Sequence, residues 1–213
     1  MRVLKYRGQK FRGGYHDFVI DTGGVHVFPR LVSAEHKGTF KREVVKSRSP
    51  ELDALLGGGL SRGSSTLILG PAGTGKSLLA ISFAMAAVAR GEKAALFIFD
   101  EELGLLTDRA LGLGIDLAEM QESGDLILEQ IDAAEVAPGE FAHKVRCCVQ
   151  DTGAQTVVVD SLNGYQAAMP KEQQLILHMR ELLQFLNRQG VNTFLTVAQH
   201  GLVGDMKAPV DVT

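Results

Sequence analysis

Apolar positions along the chain alternate between two patterns. Continuous apolar runs at 66–69, 94–99, 126–128, 156–159 and 193–197 have the length of strands, and their lack of polar alternation predicts strands covered on both faces. Between them, residues 76–90, 103–112, 139–151 and 172–189 carry apolar positions at helical spacing; in the last, Leu175, Leu182, Leu183 and Leu186 share one stripe. Strands alternating with helices predict an α/β fold around a mainly parallel sheet, with helices on both faces.

The first part of the chain reads differently. Short apolar segments at 3–6, 16–20 and 25–28 predict strands, the last two joined as a hairpin by Asp21, Thr22, Gly23 and Gly24. Residues 31–46 are polar, with Gly38 and the charges of Lys37, Lys41, Arg42 and Glu43, and read as a linker. A short helix then follows Ser49, a capping residue, with Pro50 in the first turn, where its missing N–H costs nothing. Gly57, Gly58 and Gly59 stop it. The predicted organisation is a hairpin unit at 1–30, a linker at 31–46 and an α/β unit at 47–213.

Composition excludes several classes. With 213 residues, 45% apolar and 22% charged, the chain can bury a core and is neither disordered nor low-complexity. No run approaches the roughly 18 apolar residues of a membrane span, and the first residues lack the apolar centre of a secretory signal, so a cytoplasmic protein is the expectation. Cys147 and Cys148 are adjacent, without metal or redox spacing, and read as reduced helix residues. The net charge of −3 hides a division: residues 1–48 carry eleven Lys/Arg against four Asp/Glu, and residues 49–213 eleven against twenty-one. The basic arm could meet an acidic surface, but the acidic remainder argues against nucleic acid as the partner.

The strongest chemical signal is Gly70, Pro71, Ala72, Gly73, Thr74, Gly75, Lys76 and Ser77, the phosphate-loop pattern G-x-x-x-x-G-K-[ST]. It lies after one predicted strand and before one predicted helix, where its mechanism requires it. Glycines let the backbone turn its N–H groups, together with those of the helix start through Leu78, toward phosphates. Lys76 reaches the β/γ oxygens of a nucleoside triphosphate, and the Ser77 hydroxyl suits Mg²⁺.

A second carboxylate for the metal is expected at a strand end in the same sheet, and Asp160 closes the run at 156–159, with Ser161 beside it. The strand at 94–99 runs into Asp100, Glu101 and Glu102, candidates to orient the attacking water, although three acids together also suit a solvated loop. The fifth strand ends in Gln199 and His200, where Gln199 could sense the γ-phosphate or simply form a turn.

Together these residues resemble the KaiC-like branch of the RecA superfamily of ATPases. The resemblance rests on the stretch 52–64, with Leu52, Asp53, Gly57, Gly58, Gly59 and Gly63 leading into the phosphate loop, on Phe99, Asp100 and Glu101, and on Leu111 to Asp116. It covers roughly residues 46–213. It implies a RecA-like P-loop NTPase fold with strand order 3-2-4-5-1 and further strands beyond the first, ATP and Mg²⁺ as ligands, and assembly into a homo-oligomeric ring, hexameric for the full-length protein. Asp100 and Glu101 match the family's paired acids; Asp in the first place departs from the commoner Glu-Glu and leaves both as candidates.

Lys5, Arg7 and Gly8, followed by the hairpin and Pro29, are similar to the closing strands of a preceding KaiC-type domain, whose Lys and Arg act on a neighbouring subunit's nucleotide. The resemblance thus implies the tail of one domain and most of a second, lacking the latter's last strands. Family members also phosphorylate themselves, and Thr213 lies near where such acceptors occur. Two other readings stand beside this one: a recombinase or replicative helicase of the same superfamily, which would need basic loops where only Lys207 follows His200, and a nucleotide-dependent scaffold that binds without turnover.

Overall fold

The computed structural model describes residues 1–167 and 172–199. In chain order the elements are β1 (Asp17–Asp21), β2 (Gly24–Phe28), a 3-10 turn at Ser33–Glu35, β3 (Val44–Val45), α1 (Pro50–Leu55), β4 (Leu60–Ser61), β5 (Ser65–Pro71) and α2 (Lys76–Val88). They continue with β6 (Ala94–Ile98), α3 (Leu103–Leu111), α4 (Leu117–Glu122), β7 (Leu126–Gln130), α5 (Pro138–Thr152), β8 (Thr156–Asp160), α6 (Leu162–Ala167), α7 (Glu172–Arg188) and β9 (Asn192–Gln199).

The five apolar runs form one parallel sheet in the order β5-β9-β8-β6-β7. Counted in chain order from the β7 edge, that is 3-2-4-5-1. Beyond β5 no further strand lies among the described residues.

Alternation of side chains across the sheet splits the core in two. Ala94, Leu96, Ile98, Val158 and Phe194 face α2, α3 and α4, where Phe83 stacks on Phe194 with ring centroids 4.5 Å apart. Ala95, Phe97, Val157, Val159, Leu195 and Val197 face α5, α6 and α7. Phe97, Phe99, Phe141 and Tyr165 pack edge-on or tilted there and hold α5 and α6 against the ends of β6 and β8.

Local chemistry sets the element ends. The Ser49 hydroxyl accepts from Leu52 N, with Pro50 in the first turn of α1; Asp116 accepts from Glu119 N at the start of α4; and Gly153, in the left-handed region, ends α5. The sequence pattern passed over α4 and α6, each only six residues long and too short for a helical period to show.

The N-terminal part departs from expectation in two places. No strand forms at 3–6: Arg2 makes one isolated bridge to Tyr15, and Leu4 and Tyr6 are exposed because no neighbouring strand offers them a surface. The polar stretch 31–46 is docked. The Ser33 N–H donates to Glu181 and its hydroxyl to Gln184, both on α7, and Arg188 donates to the Ser33 carbonyl. Farther on, β3 pairs antiparallel with β4. The hairpin β1-β2 forms, with Asp17 opposite Phe28 and Asp21 opposite Gly24, and sits against α5, where Asp17 accepts from Gly139 N at 2.7 Å. Its other face, with Phe18, Ile20, Val25 and Val27, is exposed.

Candidate nucleotide site

The phosphate loop joins β5 to α2 at the carboxyl edge of the sheet. Gly73 (φ 78°) and Gly75 (φ 83°) take left-handed backbone that a side chain would strain. Gly75 stands at the N-cap of α2 without a side-chain cap, so the first-turn N–H groups of Lys76, Ser77 and Leu78 have no partner within the helix. The Thr74 hydroxyl (2.9 Å) and the Lys76 ammonium (2.7 Å) both donate to the Pro71 carbonyl, which folds the lysine back over the loop. An ammonium has three donors, so two remain for another acceptor. Unpaired N–H groups, a cation and the half-buried Ser77 hydroxyl at one helix start suit a polyphosphate and its metal.

Asp160 ends β8, two strands from the loop, and β9 lies between them. Gln199 at the end of β9 pairs with Pro71 in the strand register, which puts it beside the loop on the Asp160 side. One Asp160 oxygen accepts from the Thr196 hydroxyl on β9, and no other protein donor reaches the carboxylate among the described residues. Thr196, the partner of Asp160, had no place in the sequence reading. Its signal was faint: the fifth run holds two hydroxyls, Thr193 and Thr196, both fully buried, and only that of Thr196 finds an acceptor among the described residues. Asn163 was missed too: its side chain pairs with both the N–H and the carbonyl of Ala198, continuing the hydrogen bonding of β9 past the end of β8.

The three consecutive acids go to three different places. Asp100 accepts from the Ser161 hydroxyl, next to Asp160, while Phe99 N donates to the Asp160 carbonyl at 2.7 Å. Gly164 on α6 makes this closeness possible, since a Cβ there would sit 2.4 Å from Phe99 Cβ and 2.7 Å from Asp100 Oδ1. Glu101 turns away into a two-pronged ion pair with Arg109 of α3, at 2.7 and 2.8 Å. Glu102 caps α3, and the N–H groups of Gly104 and Leu105 lower its pKa. The structure thus brings Lys76, Ser77, Asp160, Asp100 and Gln199 to one edge and ties Glu101 and Glu102 to α3.

Among the described residues no three His, Cys, Asp or Glu side chains cluster as a metal site on their own. A hydroxyl and one carboxylate beside a phosphate cradle is the donor set for a cation that arrives with a nucleotide. Lys5 and Arg7 are exposed on the N-terminal segment. Cys147 and Cys148 lie unpaired on α5, and burial pushes the Cys148 thiol up to about 11, which keeps it a thiol. His200, Lys207 and Thr213 fall outside the described residues.

A family model described as "ATPase: KaiC" matches residues 45–206, from β3 through the whole sheet. The chain belongs to the KaiC ATPase family. Among similar proteins, the circadian clock protein KaiC2 of Synechocystis sp. is 31% identical over 208 residues, 96% of this chain and 36% of that protein. The circadian clock oscillator protein KaiC of Prochlorococcus marinus is 36% identical over 166 residues, 77% of this chain and 33% of its own length. That of Acaryochloris marina is 34% identical over 164 residues, 77% and 31% respectively. The chain spans about a third of the length of these curated relatives. The KaiC match makes it a RecA-like P-loop ATPase domain, and it reaches into the N-terminal hairpin only in the longest alignments. No helix among the described residues is long and apolar enough to cross a membrane.

Proposed function

We propose that this domain binds ATP with Mg²⁺ at the β5–α2 loop and hydrolyses it within a homo-oligomeric ring, hexameric as the family resemblance implies, in a cytoplasmic clock-type signalling protein. The observation that carries the reading is the convergence of Lys76, Asp160 and Asp100 on one sheet edge, with Gln199 between the first two. The open N–H groups of the loop and Lys76 bind and orient the β- and γ-phosphates. Ser77 and Asp160 are the residues that would hold Mg²⁺, which when bound withdraws charge from the phosphate oxygens.

Asp100 is the group that takes the water's proton: the water oxygen bonds to the γ-phosphorus, the bond to the ADP oxygen breaks, and the proton passes to the Asp100 carboxylate. Thr196 keeps Asp160 aimed, and Ser161 does the same for Asp100. Glu101, tied to Arg109, fixes α3. Residues 1–30 act as the closing strands of a preceding domain, a reading supported by the exposed apolar face of the hairpin. Self-phosphorylation, with Thr213 as a candidate acceptor, is part of the same proposal.

Lys76→Ala tests it. The substitution removes a half-buried cation at the start of α2 that is not part of the core, so the fold should persist while ATP affinity measured by calorimetry drops at least about a hundredfold. Unchanged affinity in the folded variant would overturn the site.

A further inference from the structure

A second concave site lies on the opposite face of the sheet from α2. A cavity of about 240 Å³ opens between the N-terminal segment, which contributes Arg12, Pro29, Leu31 and His36, and α5, which contributes Gly139, Ala142, His143 and Arg146. None of these residues belongs to the phosphate loop or to the ends of β6, β8 and β9. The volume is below the ~300–1,000 Å³ of sites for drug-sized ligands, which restricts an occupant to a small ion or short ester.

All four polar side chains around it are cationic or can become so, and all four are half-buried. Arg12 is held in place by the Arg30 carbonyl (3.1 Å) and by Glu35. Arg146 has no carboxylate partner among the described residues; it donates to Gln150 (2.6 Å) and to Nδ1 of His143 (3.1 Å). An arginine can donate to an imidazole nitrogen only when that ring is neutral. A half-buried guanidinium spending its donors on a neutral base is a cation lacking an anion. The helix start beneath is already occupied, because Asp17 accepts from Gly139 N.

We propose that this cavity binds a small tetrahedral dianion, phosphate or a phosphate monoester, at a site distinct from the nucleotide loop. The two guanidiniums supply planar donor forks that match phosphate oxygens, and the two imidazoles add donors by taking up protons as the anion enters. The groups facing the imidazoles support this. His143 meets Arg146 and Cys147 on its own helix, the ring of Phe28 from β2 and the charge of Glu140. His36 meets the edge of Phe185 on α7 and the charges of Arg146, Glu35 and Arg12. Burial first, then Arg146, lowers the pKa of both rings, so an anion that neutralises Arg146 raises them again. Because the cavity has one wall from each side, its occupant also ties the N-terminal segment to α5.

The experiment is a sulfate titration of the full chain carrying Lys76→Ala, which disables the nucleotide loop and keeps the two sites distinguishable. It is followed through the imidazole resonances of His36 and His143. Sulfate keeps its charge across the pH range used, so a pH effect reports the protein. Both resonances should move on one saturable curve, with tighter binding at about pH 6 than at about pH 8. Phosphate and glycerol phosphate should compete, the latter showing that the site admits monoesters. Arg146→Gln should weaken binding at least about tenfold and Arg146→Lys less, with Arg12→Gln as a parallel variant should Arg146→Gln fail to fold. Shifts that do not saturate by roughly 100 mM, or an unchanged curve in the folded Arg146→Gln or Arg12→Gln variant, would overturn the proposal.

Discussion

Asp100 and Glu101 are adjacent in sequence, yet one carboxylate faces Ser161 beside Asp160 and the other is held by Arg109. Asp100→Asn keeps size and hydrogen bonding but removes the base, so single-turnover hydrolysis should fall about 10²–10⁴-fold. ATP affinity should hold or rise slightly, since a negative charge near an anion has gone. Glu101→Gln should leave hydrolysis within about threefold and cost under ~1 kcal/mol of stability, because the Arg109 side chain is 44% exposed and water screens the pair. Equal losses in the two variants would return both acids to the reaction. That the loop at 70–77 and Asp160 lie at strand ends was legible from residue type and position alone. The division of labour among the acids was not, because three consecutive carboxylates carry no mark of which one a neighbouring helix will claim.

At the level of elements, the turn between β4 and β5 is anchored by Arg62, whose side chain is only 7% exposed and which reaches Glu43, Glu92 and Gln155. Burial opposes the charge on Glu92, yet hydrogen bonds from Arg90 and Arg62 outweigh it and lower its pKa below 4.5. Arg62→Met should therefore cost roughly 2 kcal/mol near neutral pH, measured by urea unfolding. A carboxylate with a lowered folded-state pKa stabilises above its unfolded value and loses that contribution as pH falls through the folded value. The gap between the native chain and Arg62→Met should narrow below pH 4.5. A gap that stays constant with pH would assign the loss to packing of the arginine stem. Arg62 was visible in the sequence only as one charge in a glycine-rich turn. Its burial depends on Glu43, brought over by β3, and on Glu92 after α2.

The whole molecule joins a basic N-terminal segment to an acidic α/β body, and the proposed ring makes that segment a neighbour's tool. Lys5 and Arg7 are exposed, so Lys5→Ala combined with Arg7→Ala should leave the fold and the ATP affinity of a single chain unchanged. Light scattering should show the chain gaining mass with ATP and Mg²⁺. In that assembled form the double variant should hydrolyse ATP at the β5–α2 loop within about threefold of the unsubstituted chain, because both cations belong to the preceding domain and act on that domain's nucleotide, where a trans-acting cation contributes about 10³-fold or more. A loss of about 10³-fold in the assembly would instead place both residues at this domain's own nucleotide and overturn their assignment to a preceding domain.

The sequence by itself determined the α/β class, the five strands and the phosphate loop, because each depends on short-range pattern: continuous apolar runs, helical stripes, and glycines placed before a lysine and a serine. It also determined the start of α1, since a capping serine and a first-turn proline act on their own backbone. Only the tertiary structure decided what long-range contact controls. Residues 31–46 look like a linker because their polar groups carry no period, yet Ser33 finds Glu181, Gln184 and Arg188 about 150 residues away on α7. The segment at 3–6 has strand-like residues and no strand, because a strand needs a neighbour to share its hydrogen bonds. Thr196 turns to Asp160 for the same reason: a buried polar group takes its partner from whichever element the fold sets against it.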